Sequence, residues 1–236
     1  MIVFESVCKS FGATVVFDGL NDAFEKGKVS CLLAPSGSGK TTLLNMVAGT
    51  LKPDGGTIKN LPEAVSYVFQ EERLIPQKTA YKNLEFVLKP KYPDAKKLGA
   101  IIASHLEAAG LKDAADMYPN EMSGGMRQRL SLIRALANPA ETLLMDEPFN
   151  ALDMTLRAGI TDMFLKYLAT YKKTVLFVTH DLDEAISAGD NIHIYTSKPM
   201  RLIIKLEIPG TKGERKLYDG AMTKFKKEIY RLTAEK

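Results

Sequence analysis

No apolar run in this chain approaches the roughly 20 residues that a membrane-crossing helix needs, so no bilayer span is expected. The N-terminus, Met1-Ile2-Val3-Phe4-Glu5, lacks both a basic start and a long apolar core, so a secretory signal is not expected either. A cytosolic protein follows, one that would work at a membrane only through a partner. Cysteine is scarce. Cys8 and Cys31 lie in or beside strand-like segments without metal-type neighbours, and both read as small buried hydrophobes. Charge of one sign is barely in surplus: the formal net charge is +4, which suits contact with phosphate or anionic lipid and is no sign of nucleic-acid binding. Internal repeats, low-complexity tracts and evident flexible linkers are all missing. What is present is ordinary for a globular protein: 236 residues, 45% hydrophobic and 25% charged, ample for a sizeable core in one large domain or two closely joined parts.

Strand-like runs cover Ile2 to Val7, Val15 to Phe17 and Val29 to Leu33, punctuated by Gly12, Gly19 and Gly27. A helix is expected from about Lys40 to a glycine terminator at Gly49. Pro53-Asp54-Gly55-Gly56 reads as a turn, and Val65 to Phe69 as a buried strand. From Thr79 to Ala137 the pattern is mostly helical; Leu98, Ile101, Ile102, His105, Leu106 and Ala109 recur at helical spacing. Strand character returns at Thr142 to Met145, Thr174 to Val178 and Asn191 to Tyr195. Helical segments are expected at about Thr155 to Tyr171 and Leu182 to Ala188. Strands alternating with helices imply a parallel sheet covered on both faces, with the central helical stretch inserted as a subdomain. The tail from Tyr218 to Lys236 is amphipathic. Tyr218, Met222, Phe225, Ile229 and Leu232 form its apolar stripe, with Lys224, Lys226, Lys227 and Arg231 off it, and it reads as a closing helix packed on the domain.

The most informative stretch is Ala34-Pro35-Ser36-Gly37-Ser38-Gly39-Lys40-Thr41-Thr42, between the apolar runs Val29 to Leu33 and Leu43 to Ala48. A buried strand, a glycine-rich turn and a helix start are the setting of a phosphate-binding P-loop. Backbone N–H groups of such a turn converge on phosphate oxygens, and the helix adds its positive end. Lys40 can reach the terminal phosphates and the Thr41 hydroxyl can ligate Mg²⁺. Ala34 stands where the pattern normally has glycine, which implies a small geometric adjustment.

Two further stretches carry chemistry. Thr142-Leu143-Leu144-Met145-Asp146-Glu147-Pro148 is an apolar strand ending in two acids, at the carboxyl edge where α/β folds bind ligands. Asp146 is placed to hold Mg²⁺ and Glu147 to polarise an attacking water. In Met122-Ser123-Gly124-Gly125-Met126-Arg127-Gln128-Arg129, Ser123 is a good N-cap for a helix running to about Pro139. A Ser-Gly-Gly turn at a helix N-terminus is a second candidate anion site.

With these motifs in this order, the chain resembles the nucleotide-binding subunit of an ATP-binding-cassette (ABC) transporter, from Val3 to about Pro209. Ala34 to Thr41 matches the Walker A motif and Leu143 to Glu147 matches Walker B with its catalytic glutamate. Ser123-Gly124-Gly125 matches the signature motif, in which Met122 and Met126 replace the usual Leu and Gln. Gln70 matches the Q-loop glutamine, which the resemblance adds to Thr41 and Asp146 as a Mg²⁺ ligand. Asn150-Ala151-Leu152-Asp153 resembles the D-loop, with Asn150 in place of a common Ser. His180 matches the switch histidine, and Phe11 lies where the family stacks an aromatic on adenine.

The resemblance implies an α/β fold of the P-loop NTPase (RecA-like) type, with a mostly parallel sheet, an N-terminal antiparallel β subdomain and an inserted α-helical subdomain at about 79–137. It implies a single ATPase domain over 1–236 that binds ATP and Mg²⁺, with Lys40, Glu147 and His180 in catalysis. Two copies would pair head to tail around two ATP molecules, on the cytoplasmic face of the cell membrane, with integral membrane permease subunits, an extracytoplasmic solute-binding protein and no nucleic acid. Segment Glu71 to Pro76 is expected to dock a cytoplasmic helix of the permease. The stretches Val68 to Pro76 and Lys198-Pro199-Met200-Arg201-Leu202-Ile203 are similar to the nitrate, sulfonate and taurine import branch. Competing readings are an exporter or lipoprotein-release ATPase and a non-transport ABC protein of DNA repair or translation. The last class usually carries a long coiled-coil insert or two tandem cassettes, and this chain shows neither.

Overall fold

The computed structural model describes residues 1–149, 154–212 and 214–234. Its strands form two sheets. The smaller is antiparallel, in the order β2-β1-β4, from β1 (Ile2–Phe11), β2 (Thr14–Phe24) and β4 (Gly55–Lys59). The larger contains β3 (Val29–Leu33), β5 (Val65–Val68), β6 (Thr142–Asp146), β7 (Thr174–Thr179), β8 (Asn191–Tyr195) and β9 (Leu202–Glu207), in the order β5-β6-β7-β3-β8-β9. It is parallel apart from the β8–β9 pair. Seven helices accompany them among the described residues: α1 (Lys40–Val47), α2 (Ala80–Leu88), α3 (Ala95–Ala108), α4 (Gly124–Ala137), α5 (Met154–Thr170), α6 (Leu182–Ala188) and α7 (Gly220–Ala234).

Both faces of the larger sheet are covered, which is why its central strands are apolar without alternation. Side chains still alternate in what they touch. Leu32, Leu144, Leu176 and Val178 face α1 and the smaller sheet, where they pack with Leu43, Leu44, Phe4 and Phe17. Their neighbours Cys31, Leu143, Met145, Val175 and Phe177 join the core built with the remaining helices. Burial pushes the Cys31 thiol well above its usual range, so it packs as an inert hydrophobe.

Helices α2, α3 and α4 all lie between β5 and β6, which are adjacent in the sheet. Thr79, Asp94 and Ser123 cap their first turns with side-chain oxygens. Leu98, Ile102, Leu106 and Ala109 turn the apolar side of α3 into the core. The tail helix α7 closes on the same core through buried Met222 and Ile229, while Tyr218 of the expected stripe stays 83% exposed ahead of the helix. Among the described residues no helix is long and apolar enough to cross a membrane.

Four segments differ from the sequence expectation, the first being β1, which runs on past its expected end at Val7 to Phe11. The β2 strand runs on from Phe17 to Phe24, through Gly19 at φ 69. The edge strand β9 is half-buried along most of its length and has no alternating pattern to announce it. The expected turn at Pro53 to Gly56 ends early, because Gly55 and Gly56 already belong to β4, with Gly55 opposite Cys8 of β1 and Gly56 at a register shift. Gly56 sits at φ 76, and a Cβ there would come within 2.2 Å of the Ser6 carbonyl oxygen. Backbone cannot yield as a side chain can, so Gly56→Ala is expected to destabilise the protein by about 2–4 kcal/mol, read by urea denaturation.

Candidate nucleotide site

The chain leaves β3 at Leu33, turns through residues 34–39 and enters α1 at Lys40, with Gly39 as N-cap at φ 123. A Cβ on Gly39 would lie 2.5 Å from Val16 Cγ1, so the close approach of β2 demands glycine there. Phe11, 52% exposed, ends the strand paired with that part of β2, with Lys9 Nζ 5.4 Å from its ring centre. Ala34 fits without the adjustment the pattern suggests. Its φ lies outside the left-handed region, and its methyl packs with Leu32, Leu43 and Val178.

Lys40 is 5% exposed. Its ammonium donates to the carbonyls of Ala34 (2.8 Å) and Pro35 (3.1 Å) and lies 3.4 Å from Glu147 Oε1. Thr41 donates its hydroxyl proton to Asp146 Oδ2 at 2.7 Å. Ser36, Gly37 and Thr41 are exposed, Thr42 is half-buried, and the buried Ser38 hydroxyl has no hydrogen-bond partner among the described residues.

Asp146 ends β6, and Glu147 follows at φ 45. That left-handed conformation is unusual for glutamate and is held by its N–H donating to Val178 O at 3.0 Å. It brings Glu147 Oε2 to 3.4 Å from His180 Nδ1 at the end of β7. The parallel register aligns the ends of β6, β7 and β3, so the loop, both acids and the histidine meet at one sheet edge. Burial and the neighbouring Glu147 push the Asp146 carboxyl above the usual range, against the pull of the Thr41 hydroxyl and Lys40. Such a site favours a cation beside it.

The donor chemistry suits Mg²⁺: a threonine hydroxyl, a carboxylate and, exposed just beyond β5, the Gln70 amide. No group of three or more His, Cys, Asp or Glu forms a metal cage among the described residues.

Ser123, Gly124 and Gly125 lead into α4, and the Ser123 hydroxyl accepts from Met126 N at 3.3 Å. Among the described residues their hydrogen bonds stay within the first turns of that helix. The unusual methionines have a packing reason: Met122 is buried in the core and Met126 lies against it. The D-loop residues Asn150 to Asp153 lie outside the described residues.

The structure adds residues that the motifs do not reveal. Tyr67 pairs in register with Leu144, which places it on the Asp146 face, and its hydroxyl interacts with that carboxylate. Its ring stacks on Phe69 at 4.1 Å, and the Arg73 guanidinium covers Phe69 at 3.9 Å. Alternation along β5 is the one sequence signal for this pair. Around His180, Thr179 donates its hydroxyl proton to Glu184 Oε2 at 2.7 Å and accepts from Asp181 N at 3.0 Å. Arg157 lies 3.2 Å from Asp181 Oδ2 and 3.3 Å from Glu184 Oε1.

The family model described as "ABC transporter" matches residues 17–150, more than half of the chain. The aliphatic sulfonates import ATP-binding protein SsuB 1 of Pseudomonas syringae pv. syringae is 34% identical over 218 residues, which cover 92% of this chain and 90% of that protein. The bicarbonate transport ATP-binding protein CmpD of Synechococcus elongatus is 34% identical over 212 residues, 84% of this chain and 76% of that protein. Among solved structures, the dimeric post-hydrolysis state of the ATP-binding cassette MJ0796 bound to ADP and Pi matches with a TM-score of 0.76 at 29% identity, covering 89% of this chain and all of that one.

Proposed function

We propose that this chain, which belongs to the ABC transporter family, is the ATPase subunit that powers import of a small solute. One observation carries the reading: Lys40, Thr41, Asp146, Glu147 and His180, from three separate segments, meet at one edge of a parallel sheet. ATP would lie with its phosphates against the N–H groups of residues 34–42 and the Lys40 ammonium, and its base against Phe11. Thr41, Asp146 and Gln70 would hold Mg²⁺, which when bound neutralises phosphate charge. Glu147 takes the proton of the attacking water as general base. His180 sits against the far oxygen of Glu147, orients it and senses the γ-phosphate.

The signature residues Ser123, Gly124 and Gly125 complete the site of a second copy, so the active form is a two-fold, head-to-tail dimer. Two features support this: the signature hydroxyl caps an exposed helix start, and the matched cassette is dimeric. Residues 79–137 act as a helical subdomain of one ATPase domain. The chain works at the cytoplasmic face of the membrane with permease subunits and a solute-binding protein. Relatives named for sulfonate and bicarbonate transport favour a small anion as cargo. Phosphate release that depends on Mg²⁺ and rises more steeply than protein concentration is the expected result; release strictly proportional to protein concentration from a chain that light scattering shows to be monomeric with ATP bound rules out the dimer. A polytopic membrane protein and a secreted binding protein in the neighbouring reading frames would establish import, and their absence would count against it.

The segment Glu71 to Pro76 is the permease-docking site in this reading. It is tied to α2 and α4: Asn83 hydrogen-bonds the Ile75 N–H (2.9 Å) and carbonyl, and Arg134 donates to Arg73 O at 2.8 Å. Leu74→Asp is expected to retain basal ATP hydrolysis and lose solute transport in reconstituted vesicles. Intact transport would exclude the segment.

A further inference from the structure

Thr179, His180 and Asp181 form the turn between β7 and α6, and the two residues flanking the histidine are held from below by a carboxylate that none of the motifs contains. The Glu184 side chain is 6% exposed. Burial pushes its carboxyl above the usual range, and the Thr179 hydroxyl and Arg157 oppose that shift. A buried acid is costly unless it is bonded and paired. Here the Thr179 hydroxyl bonds one oxygen at 2.7 Å, and the other, which accepts no hydrogen bond among the described residues, is ion-paired with the Arg157 guanidinium at 3.3 Å.

The contacts form a closed loop around the turn. Asp181 N–H donates to Thr179 Oγ1, so one threonine hydroxyl joins the carboxylate below to the backbone just after His180. The Asp181 carboxylate caps α6 through the N–H groups of Asp183 and Glu184, and it also lies 3.2 Å from Arg157. Arg157 belongs to α5, so the turn is braced against a second helix. His180 itself is half exposed, and its described polar contact is the 3.4 Å approach to Glu147. An exposed imidazole at that distance has its position set by its backbone, and the backbone on both sides is set by Thr179 and Glu184.

We propose that Glu184, steadied by Arg157 and acting through the Thr179 hydroxyl, is the positioning residue for His180. The role rests on the function given above for His180. It explains why a buried acid and a buried hydroxyl occupy a place where apolar residues would pack at lower cost. Its loss displaces His180 from Glu147 without removing a group that touches nucleotide.

The test uses the full chain and four variants: Thr179→Val, Thr179→Ser, Glu184→Gln and His180→Ala. Thr179→Val is expected to lower kcat about tenfold or more, the scale on which small misplacements of a catalytic group act. Nucleotide affinity stays at the wild-type value. Thr179→Ser keeps the hydroxyl and restores kcat, whereas a purely structural role would change stability in both variants and kcat per folded molecule in neither. The second readout needs no turnover. The chain has three histidines, His105, His180 and His193, so the imidazole carbon-bound proton signals can be assigned one by one in NMR spectra. Glu184→Gln and Thr179→Val should shift or broaden the His180 signal and leave those of His105 and His193 in place. An unmoved His180 signal, or wild-type kcat in Thr179→Val, overturns the positioning role. Wild-type hydrolysis by His180→Ala overturns instead the function assigned to the histidine, so the two failures are distinguishable.

Discussion

Glu147→Gln is expected to lower ATP hydrolysis by about two to three orders of magnitude and to leave nucleotide affinity intact. The amide keeps the shape of the side chain but cannot accept the proton of the attacking water, and a well-placed general base contributes about 10²–10⁴-fold. Geometry makes the loss hard to repair. Glu147 is held at φ 45, its N–H is tied to Val178 O, and its two oxygens lie 3.4 Å from Lys40 and from His180. Asp146, the other carboxylate, is bonded to Thr41 and belongs to the cation side of the site. Single-turnover phosphate release separates the outcomes: slow chemistry after normal binding supports the role, and a wild-type single-turnover rate removes it.

Lys40→Ala should act earlier in the cycle. It removes the buried ammonium that stands between the loop carbonyls and Glu147. Charge-assisted hydrogen bonds to phosphate contribute about 1.5–3 kcal/mol, so nucleotide binding is expected to weaken by about 10–100-fold. Hydrolysis falls further, because charge developing in the transition state loses its nearest fixed cation. Lys40→Arg should not restore it. At 5% exposure the position has no room for a planar guanidinium fork, and the two cations differ in shape and hydration. Isothermal titration with ATP, with and without Mg²⁺, reads the first effect, and steady-state phosphate release the second. Wild-type affinity in Lys40→Ala would move the phosphate site elsewhere.

Much of this is legible in the sequence. The strand Val29–Leu33, the strand Asn191–Tyr195 and the helix Leu182–Ala188 begin and end where their residues predict. Their boundaries are set by local chemistry: apolar runs too short for a helix, a turn rich in glycine, and Asp181 capping the helix behind it. The mostly parallel sheet and the helices between β5 and β6 were likewise predictable from element order, while the antiparallel N-terminal sheet was implied by the family resemblance. The strand β4 was hidden because Gly55 and Gly56 look like a turn. Their extended partner is β1, some fifty residues earlier, and pairing with it is a non-local event. The edge strand β9 was hidden for a related reason, since it is half-buried and, among the described residues, pairs with β8 alone.

By itself, the sequence determined that a phosphate cradle stands between a buried strand and a helix, and that two acids end another strand. Both follow from interactions within a few residues. Tertiary structure alone decided that Thr41 bonds Asp146, that His180 faces Glu147, that Tyr67 lies beside Asp146, and that Glu184 and Arg157 brace the histidine turn. Those pairs join segments whose approach is dictated by strand order and helix packing. Neither the spacing of residues nor their composition encodes which buried charge will meet which.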